Sequence, residues 1–309
     1  MSKMTLLFCA PGVIHSLMII VRLTGGLGNQ MFQYAFGRHL AEMHGTVLKI
    51  DLSFYADSKL NSAYGAVRQF DLDMFNVDLT VAGEKEVARL SKRVANSYLD
   101  RALNRILGLK GTVLLEPHYH FSETAYDAPD NVYLMGYWQS SRYFADIELL
   151  IREVFTFKSP PSAAASKLLD KINNTSSVCV HVRRGDFVLH PLNGLQGKDY
   201  VAAGERIFAG RVSNPNYFVF SDDIEWCEAN LEFAGPAIFV SDDFDGSKLQ
   251  DDLRLMGACK HFIIANSSFS WWAAWLSTYS HKIIVAPKNW FLDKALDTKD
   301  LIPKEWIRI

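Results

Sequence analysis

The chain has 309 residues, 49% of them hydrophobic, which excludes a disordered protein and provides enough apolar material for two folded domains. Its 32 Lys and Arg residues nearly balance 34 Asp and Glu residues, and the net charge of -2 argues against broad nucleic-acid binding and against a polybasic membrane anchor. The 4 cysteines are scattered without a CxxC pair, which indicates a reducing compartment and no structural zinc site.

The first apolar stretch, Met4 to Val21, has the hydropathy of a signal peptide or a membrane anchor. A proline and a glycine in its middle and the lack of a small-residue cleavage site weaken both readings. Residues Ile19 to Leu23, which overlap the end of this stretch, instead have the form of a strand that runs into a glycine-rich turn. We therefore predict that the folded protein begins near Met18 and that residues 1–17 are an N-terminal extension.

The glycine-rich turn after this strand has the sequence GGLGNQ. It has neither the spacing of a dinucleotide-binding fingerprint nor the lysine of a phosphate-binding P-loop, so by itself it is a weak indication of a nucleotide site. Its place after the first strand nevertheless directs its backbone amides into a cleft between two domains. The residues predicted to line the cleft here are Gly25, Gly26, Gly28, Asn29 and Gln30.

The rest of the N-terminal half has the pattern of an irregular α/β domain. Residues 57–78 have no clean period, and we interpret them as a long functional loop. The other predicted elements are a helix over 29–43, strands over 46–50, 112–115 and 131–135, one or two helices within 84–107, and a helix over 146–155.

A proline pair at 160–161 marks the best linker in the chain, because it forbids helix continuation and stiffens the connection. We place a boundary there, between an N-terminal α/β domain (18–158) and a C-terminal domain (159–309). In the second half strands alternate with helices, which predicts a Rossmann-like parallel sheet and makes the cleft between the domains the default active site. The predicted helices are 163–172, 199–212, 223–231, 247–258 and 268–279, and the predicted strands are 178–182, 216–220, 237–240, 261–264 and 282–286.

Three strands of the second half end in polar residues, and the carboxyl ends of parallel strands share one edge of a sheet. The first of these ends carries His181, Arg183, Arg184 and Asp186. Two guanidinium groups beside one carboxylate suit a diphosphate, whereas the alternative is an ordinary arginine–aspartate ion pair. We predict an anion site at this strand end.

The other two polar strand ends are Ser221-Asp222-Asp223 and Asn266-Ser267-Ser268-Phe269. Helix capping explains both without a ligand, but a helix N-terminus also presents free N–H groups that bind phosphate well. The tryptophans that follow, Trp271, Trp272 and Trp275, fit a buried helical face better than a sugar-stacking platform.

Acidic pairs occur at Asp222-Asp223 and at Asp242-Asp243, and carboxylates are metal ligands. Neither pair has a histidine or a third carboxylate at ligand spacing. We therefore predict a site without a metal ion.

Four motifs between about Met18 and Trp290, namely GGLGNQMFQYAFGRHLA, HVRRGDF, FSDDIEWC and NSSFSWWAAWL, closely resemble the bacterial-type α-1,2-fucosyltransferases of glycosyltransferase family 11. The resemblance implies a GT-B-like α/β fold, with two Rossmann-like domains facing a central cleft. It further implies inverting transfer of L-fucose from GDP-β-L-fucose to the 2-hydroxyl of a galactose-containing acceptor, either an oligosaccharide or a lipid-linked glycan. No metal and no cofactor other than the donor substrate are implied.

The same resemblance implies roles for individual residues. His181 would lie by the guanine and Arg183 on the pyrophosphate, while Arg184 and Asp186 would support the loop. Further donor-binding residues would be Asp222, Asn266, Ser267, Ser268 and Phe269.

The chemistry assigns Arg183 a further task, because GDP gains negative charge as it leaves and a fixed cation then stabilises the transition state more than the ground state. The group that accepts the proton of the acceptor hydroxyl is not identified by the sequence. Asp186, Asp51 and His39 are candidates, and a strongly dissociative reaction needs no protein base at all.

Two other classes of function stay open. One is a glycosyltransferase that uses another nucleotide sugar or forms another linkage, and the other is a non-catalytic module that binds a GDP-sugar or a glycan. A glycosidase is disfavoured because no two carboxylates stand out as a facing pair. The predicted location is the cytoplasm, with peripheral attachment to the inner face of the membrane as the alternative.

Overall fold

Two parallel β-sheets, each packed against helices, form the fold in this computed structural model, which describes residues 17–62, 67–91, 113–188, 192–240 and 248–309. Residues 1–16, the second half of the predicted helical region 84–107, and the Asp242-Asp243 pair lie outside the described residues. The chain passes from the first sheet to the second between residues 135 and 176, and the boundary at 158/159 within this stretch stays a prediction.

The first sheet contains four parallel strands in the order β2-β1-β4-β3. Because β1 is central and covered on both faces, Ile19, Ile20 and Val21 are all fully buried, as expected for a parallel strand. The strand order reverses between β1 and β4, so a crevice opens beyond their carboxyl ends. The strands are β1 (Met18–Arg22), β2 (Val47–Asp51), β3 (Val113–Leu115) and β4 (Val132–Met135).

The helices of this half include a longer first helix than the apolar spacing predicts. It begins at Leu27, inside the glycine-rich turn, and ends where Gly45 adopts a left-handed conformation with φ of 59°. In its described residues, 57–62 and 67–78, the segment 57–78 contains two short helical pieces. The helices are α1 (Leu27–His44), α2 (Ser53–Ala56), α3 (Ser58–Ser62), α4 (Glu84–Ser91) and α5 (Glu148–Val154), with 3₁₀ helices at Leu72–Met74, Glu123–Asp127 and Ser141–Ile147.

The second sheet contains six parallel strands in the order β10-β9-β8-β5-β6-β7. Counted along the chain, this is the 3-2-1-4-5-6 order of the dinucleotide-binding fold, so the Rossmann-like prediction is confirmed. The strands are β5 (Ser176–Val182), β6 (Pro215–Ser221), β7 (Ala237–Phe239), β8 (His261–Ile263), β9 (Ile284–Ala286) and β10 (Ile307–Arg308), and the last of them is not predicted by the sequence pattern. The helices are α6 (Ala163–Asn173), α7 (Lys198–Phe208), α8 (Ile224–Asn230), α9 (Lys248–Ala258) and α10 (Ser268–Leu276), with a 3₁₀ helix at Gly185–Phe187.

Helices α1 and α10 pack against each other and join the two sheets. Phe32 of α1 lies 4.5 Å from Trp271 and 4.9 Å from Trp272 between ring centroids, and both tryptophans are fully buried. The Trp272 indole N–H donates to the carbonyl oxygen of Gly28 at 3.0 Å. The prediction that these tryptophans form a packing face is confirmed, and we call this α1–α10 contact the seam.

Three of the four cysteines lie within the described residues. Cys179, Cys227 and Cys259 are free thiols and buried, as small apolar side chains of the core. Within the residues that the structure describes, every helix is too short or too polar to cross a bilayer.

Candidate active site

The carboxyl ends of β5 and β8 bring two of the predicted motifs together. Val180 is paired with Ile263 in the sheet, so three residues further on Arg183 and Asn266 leave the sheet at the same level. The strand order reverses at this point, because β6 and β7 lie on one side and β8, β9 and β10 on the other. Open α/β sheets bind their ligands in such a crevice.

Two carboxylates orient the guanidinium group of Arg183. Its Nη2 donates to Asp186 Oδ1 at 2.6 Å, and its Nη1 lies 3.1 Å from Asp222 Oδ2. Asp222 is itself fixed, because its Oδ1 accepts the backbone N–H of Arg184 at 2.8 Å. A guanidinium group carries five N–H bonds, so Arg183 keeps donors that can bind a ligand. Its side chain is 25% exposed and therefore accessible.

Arg184 points to the other side of the strand end and supports the loop. Its Nε donates to Asp223 Oδ2 at 2.9 Å, and its guanidinium lies 3.9 Å from the centre of the Trp226 ring. Asp223 also caps α8 by accepting the Trp226 backbone N–H at 3.2 Å. Capping therefore accounts for Asp223, whereas its neighbour Asp222 orients Arg183.

Asp186 links the two halves of the molecule. One of its oxygens accepts from Arg183 and the other from Arg68, which belongs to the 57–78 segment of the first half. Burial alone would raise the pKa of Asp186, but the two guanidinium groups hold it below its ordinary value. A carboxylate held ionised by two cations is a weak proton acceptor, which argues against Asp186 as the base.

His181 and Asn266 each carry a buried polar atom without a partner among the described residues. These atoms are Nδ1 of His181 and Oδ1 of Asn266. The amide nitrogen of Asn266 is engaged, since it donates to the carbonyl oxygens of Gly194 and Trp290, each at 3.0 Å. Buried polar groups are almost always satisfied, so these two atoms at one sheet edge are available to a polar ligand or to water.

Burial, and then the charge of Arg183, lower the pKa of His181 to about 3. Because an unfolded histidine has a pKa of about 6.5, the unfolded chain binds a proton between these values that the folded chain does not. We therefore expect His181 to lower the free energy of unfolding by about 1.4 kcal/mol for each pH unit below about 6.5, down to about pH 3.

The measurement is a comparison of thermal midpoints for the wild type and His181→Gln between pH 7 and 4.5. The variant lacks this ionisable group, so the stability advantage of the wild type should shrink as the pH falls. A difference between the two proteins that is constant with pH would contradict the buried neutral state.

The N-terminus of α10 borders the same crevice. Ser267 stands at the N-cap position, but its side chain does not cap the helix. Ser268 Oγ donates to Asn29 Oδ1 at 2.9 Å, and Gln139 Nε2 donates to the same oxygen at 2.8 Å. Asn29 thus bridges both halves, and the first N–H groups of α10 are left without a side-chain cap beside the sheet edge.

Two residues of the glycine-rich turn, Gln30 and Gly28, make close contacts within the protein. Gln30 is fully buried and holds the segment after Arg68, donating to the carbonyl oxygen of Gln69 at 2.8 Å and accepting the N–H of Asp71 at 2.9 Å. A side chain on Gly28 would place its Cβ 2.4 Å from the carbonyl carbon of Ser268. Gln30 therefore braces the neighbouring loop, and Gly28 is a point of close backbone contact between α1 and α10. That their backbone amides line the cleft stays a prediction.

Gly25 and Gly26 keep other roles in this turn. Gly25 has φ of 75°, in the left-handed region that favours glycine, and its carbonyl oxygen accepts the Tyr55 hydroxyl at 2.9 Å. Gly26 is the N-cap residue of α1, and an added Cβ there would meet Arg68 Cδ at 3.9 Å. Gly26 is thus the open position of the turn.

The other two candidate bases are engaged elsewhere. Asp51 is buried and accepts hydrogen bonds from Ser53 N at 2.9 Å and from the hydroxyl of Tyr133 at 2.5 Å. His39 is buried in α1, with its Nδ1 2.7 Å from the carbonyl oxygen of Tyr143. Neither side chain is available to a substrate in the cleft.

Metal-ligand chemistry finds little support at the strand ends. In the described ranges no group of three or more His, Cys, Asp or Glu side chains is arranged to hold a metal ion. The oxygens of Asp222 and Asp223 face Arg183 and Arg184, and these guanidinium groups occupy positions that a cation would need.

Arg68 is the site residue that sequence reasoning missed. It lies in a segment without periodicity, and no motif surrounds it. Its backbone is held by the buried amide of Asn61, which donates to Arg68 O at 2.7 Å and accepts from Arg68 N at 2.9 Å. The only hint in the sequence is a cation within a loop predicted to be functional.

Comparisons with known proteins match most of the chain to glycosyltransferases. Residues 113–309 match the model of Glycosyl transferase family 11. An alpha-1,2-colitosyltransferase of Escherichia coli is 36% identical over 300 residues, which cover 94% of this chain and 98% of that protein. The galactoside 2-alpha-L-fucosyltransferase Sec1 of Mus musculus is 26% identical over 272 residues, covering 84% of this chain and 64% of that protein.

A solved structure extends the comparison to the fold. A mutant of Arabidopsis thaliana FUT1 in complex with GDP superimposes with a TM-score of 0.54 at 11% identity, over 96% of this chain and 77% of that chain. Together with the two parallel sheets, this likeness confirms the predicted GT-B-like α/β fold.

Proposed function

Because this chain belongs to glycosyltransferase family 11, we propose that it transfers L-fucose from GDP-β-L-fucose to the 2-hydroxyl of a galactose-containing glycan, with inversion at the anomeric carbon. The observation that carries the proposal is the set of groups at the β5–β8 crevice. An oriented guanidinium group, an uncapped helix N-terminus and two unpartnered buried polar atoms lie there together.

The donor diphosphate would bind between Arg183 and the first N–H groups of α10. Both supply positive charge or N–H donors without a metal ion, and His181 and Asn266 would complete their hydrogen bonding with the nucleotide. As the bond between the sugar and the β-phosphate breaks, negative charge grows on the phosphate, where a preorganised guanidinium stabilises it most. Transfer should therefore persist in the presence of EDTA.

A second donor sugar has specific support. The relative that is 36% identical over most of this chain is a colitosyltransferase, and colitose is fucose without its 3-hydroxyl group. The diphosphate and guanine contacts would be the same for both donors. Discrimination would rest on whether the cleft satisfies the 3-hydroxyl, because a site built to bind a hydroxyl group rejects the analogue that lacks it.

The experiment is a donor panel with the purified full chain, with GDP-fucose, GDP-colitose and other nucleotide sugars offered to galactose-terminated oligosaccharides. We expect fucose in an α-1,2 linkage to galactose by NMR of the product. Preference for GDP-colitose would select the second candidate, and another linkage would refute the proposed regiochemistry.

The same panel tests the non-catalytic alternative. Slow hydrolysis of the donor without acceptor is expected of an enzyme, and its absence together with tight GDP binding would favour a binding module.

A further inference from the structure

The carboxylates around the cleft differ in whether they already hold hydrogen-bond donors. Most are saturated, because Asp186, Asp222 and Asp223 face arginines and Asp51 faces Ser53 and Tyr133. Glu116, at the end of β3, accepts the backbone N–H groups of Tyr137 at 2.6 Å and Trp138 at 2.9 Å. A carboxylate that must take a proton from a substrate needs a free lone pair aimed at the cleft.

Asp71 is different from these groups. It stands at the N-cap position of the 3₁₀ helix Leu72–Met74, yet its side chain does not cap that helix. No hydrogen bond reaches its half-buried carboxylate from the described part of the chain. An aspartate at such a position ordinarily accepts a backbone N–H, so the free carboxylate needs another explanation.

The backbone around Asp71 is held firmly against α1. Its N–H donates to the buried amide oxygen of Gln30 at 2.9 Å, and the amide nitrogen of the same glutamine donates to Gln69 O at 2.8 Å. This brace fixes the backbone of residues 69–71 against α1. The backbone from which the Asp71 carboxylate projects is therefore positioned by a residue of the glycine-rich turn.

The surroundings of Asp71 connect it to the donor site. The charged and titratable groups that face it are Arg68, Asp73 and Tyr55. Arg68 pairs with Asp186, which in turn pairs with Arg183. The Tyr55 hydroxyl donates to Gly25 O at 2.9 Å, at the turn that borders the cleft. Asp71 thus neighbours Arg68, the first member of the ion-pair chain Arg68–Asp186–Arg183 that leads to the proposed diphosphate site.

We propose that Asp71 is the base that accepts the proton of the acceptor hydroxyl. The inference rests on the proposed function. In the step, the acceptor O–H bond breaks and its proton passes to a carboxylate oxygen of Asp71. The oxygen's electron pair forms the new bond to the anomeric carbon, while the electron pair of the breaking C–O bond leaves with the β-phosphate of GDP. Asp71 then releases the proton to water.

The electrostatics of the site agree with this role. Burial, and then the neighbouring Asp73, raise the pKa of Asp71 to about 6, while Arg68 opposes the shift. A base with a pKa close to the working pH combines sufficient ionisation with sufficient proton affinity. Activity should therefore be lost as the pH falls through about 6, because the Asp71 carboxylate is then already protonated when the acceptor binds.

The test compares Asp71→Asn with Asp73→Asn in the full chain. The second change removes an exposed carboxylate two residues away in the same 3₁₀ helix and serves as the matched control. We expect kcat for transfer at pH 7.5 to fall about 10²- to 10⁴-fold in Asp71→Asn and less than about threefold in the control. GDP affinity by calorimetry should stay within about twofold in both, because the donor contacts are intact.

The pH profile separates a base from a merely structural residue. In kcat/KM for the acceptor at saturating donor, the wild type should show an acid limb near pH 6. Asp73→Asn should show the same limb at a lower pH, because the Asp73 carboxylate helps to raise the pKa of Asp71, and the residual activity of Asp71→Asn should lack the limb. Asp71→Glu should recover part of the rate, since it restores a carboxylate.

Three results would overturn the proposal. They are an Asp71→Asn variant with near wild-type kcat, an acid limb that persists in that variant, and a wild type without any acid limb between pH 5 and 7. The last of these does not depend on how any variant folds. A wild type that transfers no sugar from any donor would instead refute the proposed function, and with it the need for a base.

Discussion

Arg183→Ala is expected to lower kcat for sugar transfer by about 10²- to 10³-fold at saturating donor, the range found when one preorganised donor to a developing anion is removed. The physical reason is that Arg183 is held by Asp186 and Asp222, so it is already oriented when charge builds up on the leaving phosphate. The measurement is steady-state transfer with thermal midpoints to monitor folding. Asp186 keeps its contact with Arg68 in this variant, so the loop should remain folded.

Two further variants sharpen the test of Arg183. Arg183→Lys keeps the charge but loses the planar fork that contacts two carboxylates, so an intermediate rate is expected. Arg211→Ala removes an exposed arginine of the same half after α7, and it should behave as the wild type. Near wild-type turnover in both Arg183 variants would remove this residue from the mechanism.

Gly28→Ala is expected to disturb both stability and activity through the seam. The added Cβ would lie 2.4 Å from the carbonyl carbon of Ser268 and 2.6 Å from the backbone nitrogen of Phe269, both in the first turn of α10. Unlike a side chain, these backbone atoms cannot rotate out of the way. The strain should exceed the roughly 1 kcal/mol that alanine gains over glycine in a helix, giving a net loss of about 1–3 kcal/mol. We expect the thermal midpoint to fall by several degrees and kcat by about tenfold to a hundredfold, because a displacement of about 1 Å between reacting groups is enough for the latter.

Gly26→Ala provides the matched control for stability in the same turn. An added Cβ there would contact only the flexible Arg68 side chain at 3.9 Å, and the φ of -82° suits any residue. Its thermal midpoint should stay within about 3 °C of the wild type, since loss of a glycine N-cap costs at most about 1 kcal/mol. Equal effects of the two substitutions would show that contact across the seam is not the reason for glycine at position 28.

The second sheet was predictable because its strands are short apolar runs that each end in a marked change of polarity. β5 is the clearest case, with buried residues up to Val182 and then two arginines. Two-residue β10 was missed because so short an element has no period. The start of α1 was missed because glycines at its first turn read as a loop, although their absence of side chains is what lets the seam close.

The candidate site was predictable only where it lies within one motif. The contacts of Arg183 with Asp186 span three residues, whereas Arg68 and Asp186 are 118 residues apart. Nothing local indicates such a pair, because it forms only when the two sheets pack together. Asp71 lies in the same aperiodic segment as Arg68, so the sequence does not single it out either. The bracing role of Gln30 is equally hidden, because a buried amide and an exposed one look alike in a sequence.

The seam has a consequence for how this protein can vary. Its apolar core runs without interruption from the first sheet through Phe32 and Trp272 into the second sheet. The packing of the seam therefore fixes the distance between the loop that carries Arg183 and the loop that carries Asp71. We expect substitutions in the loops to change acceptor choice without loss of stability, whereas substitutions in the seam should change catalysis and stability together.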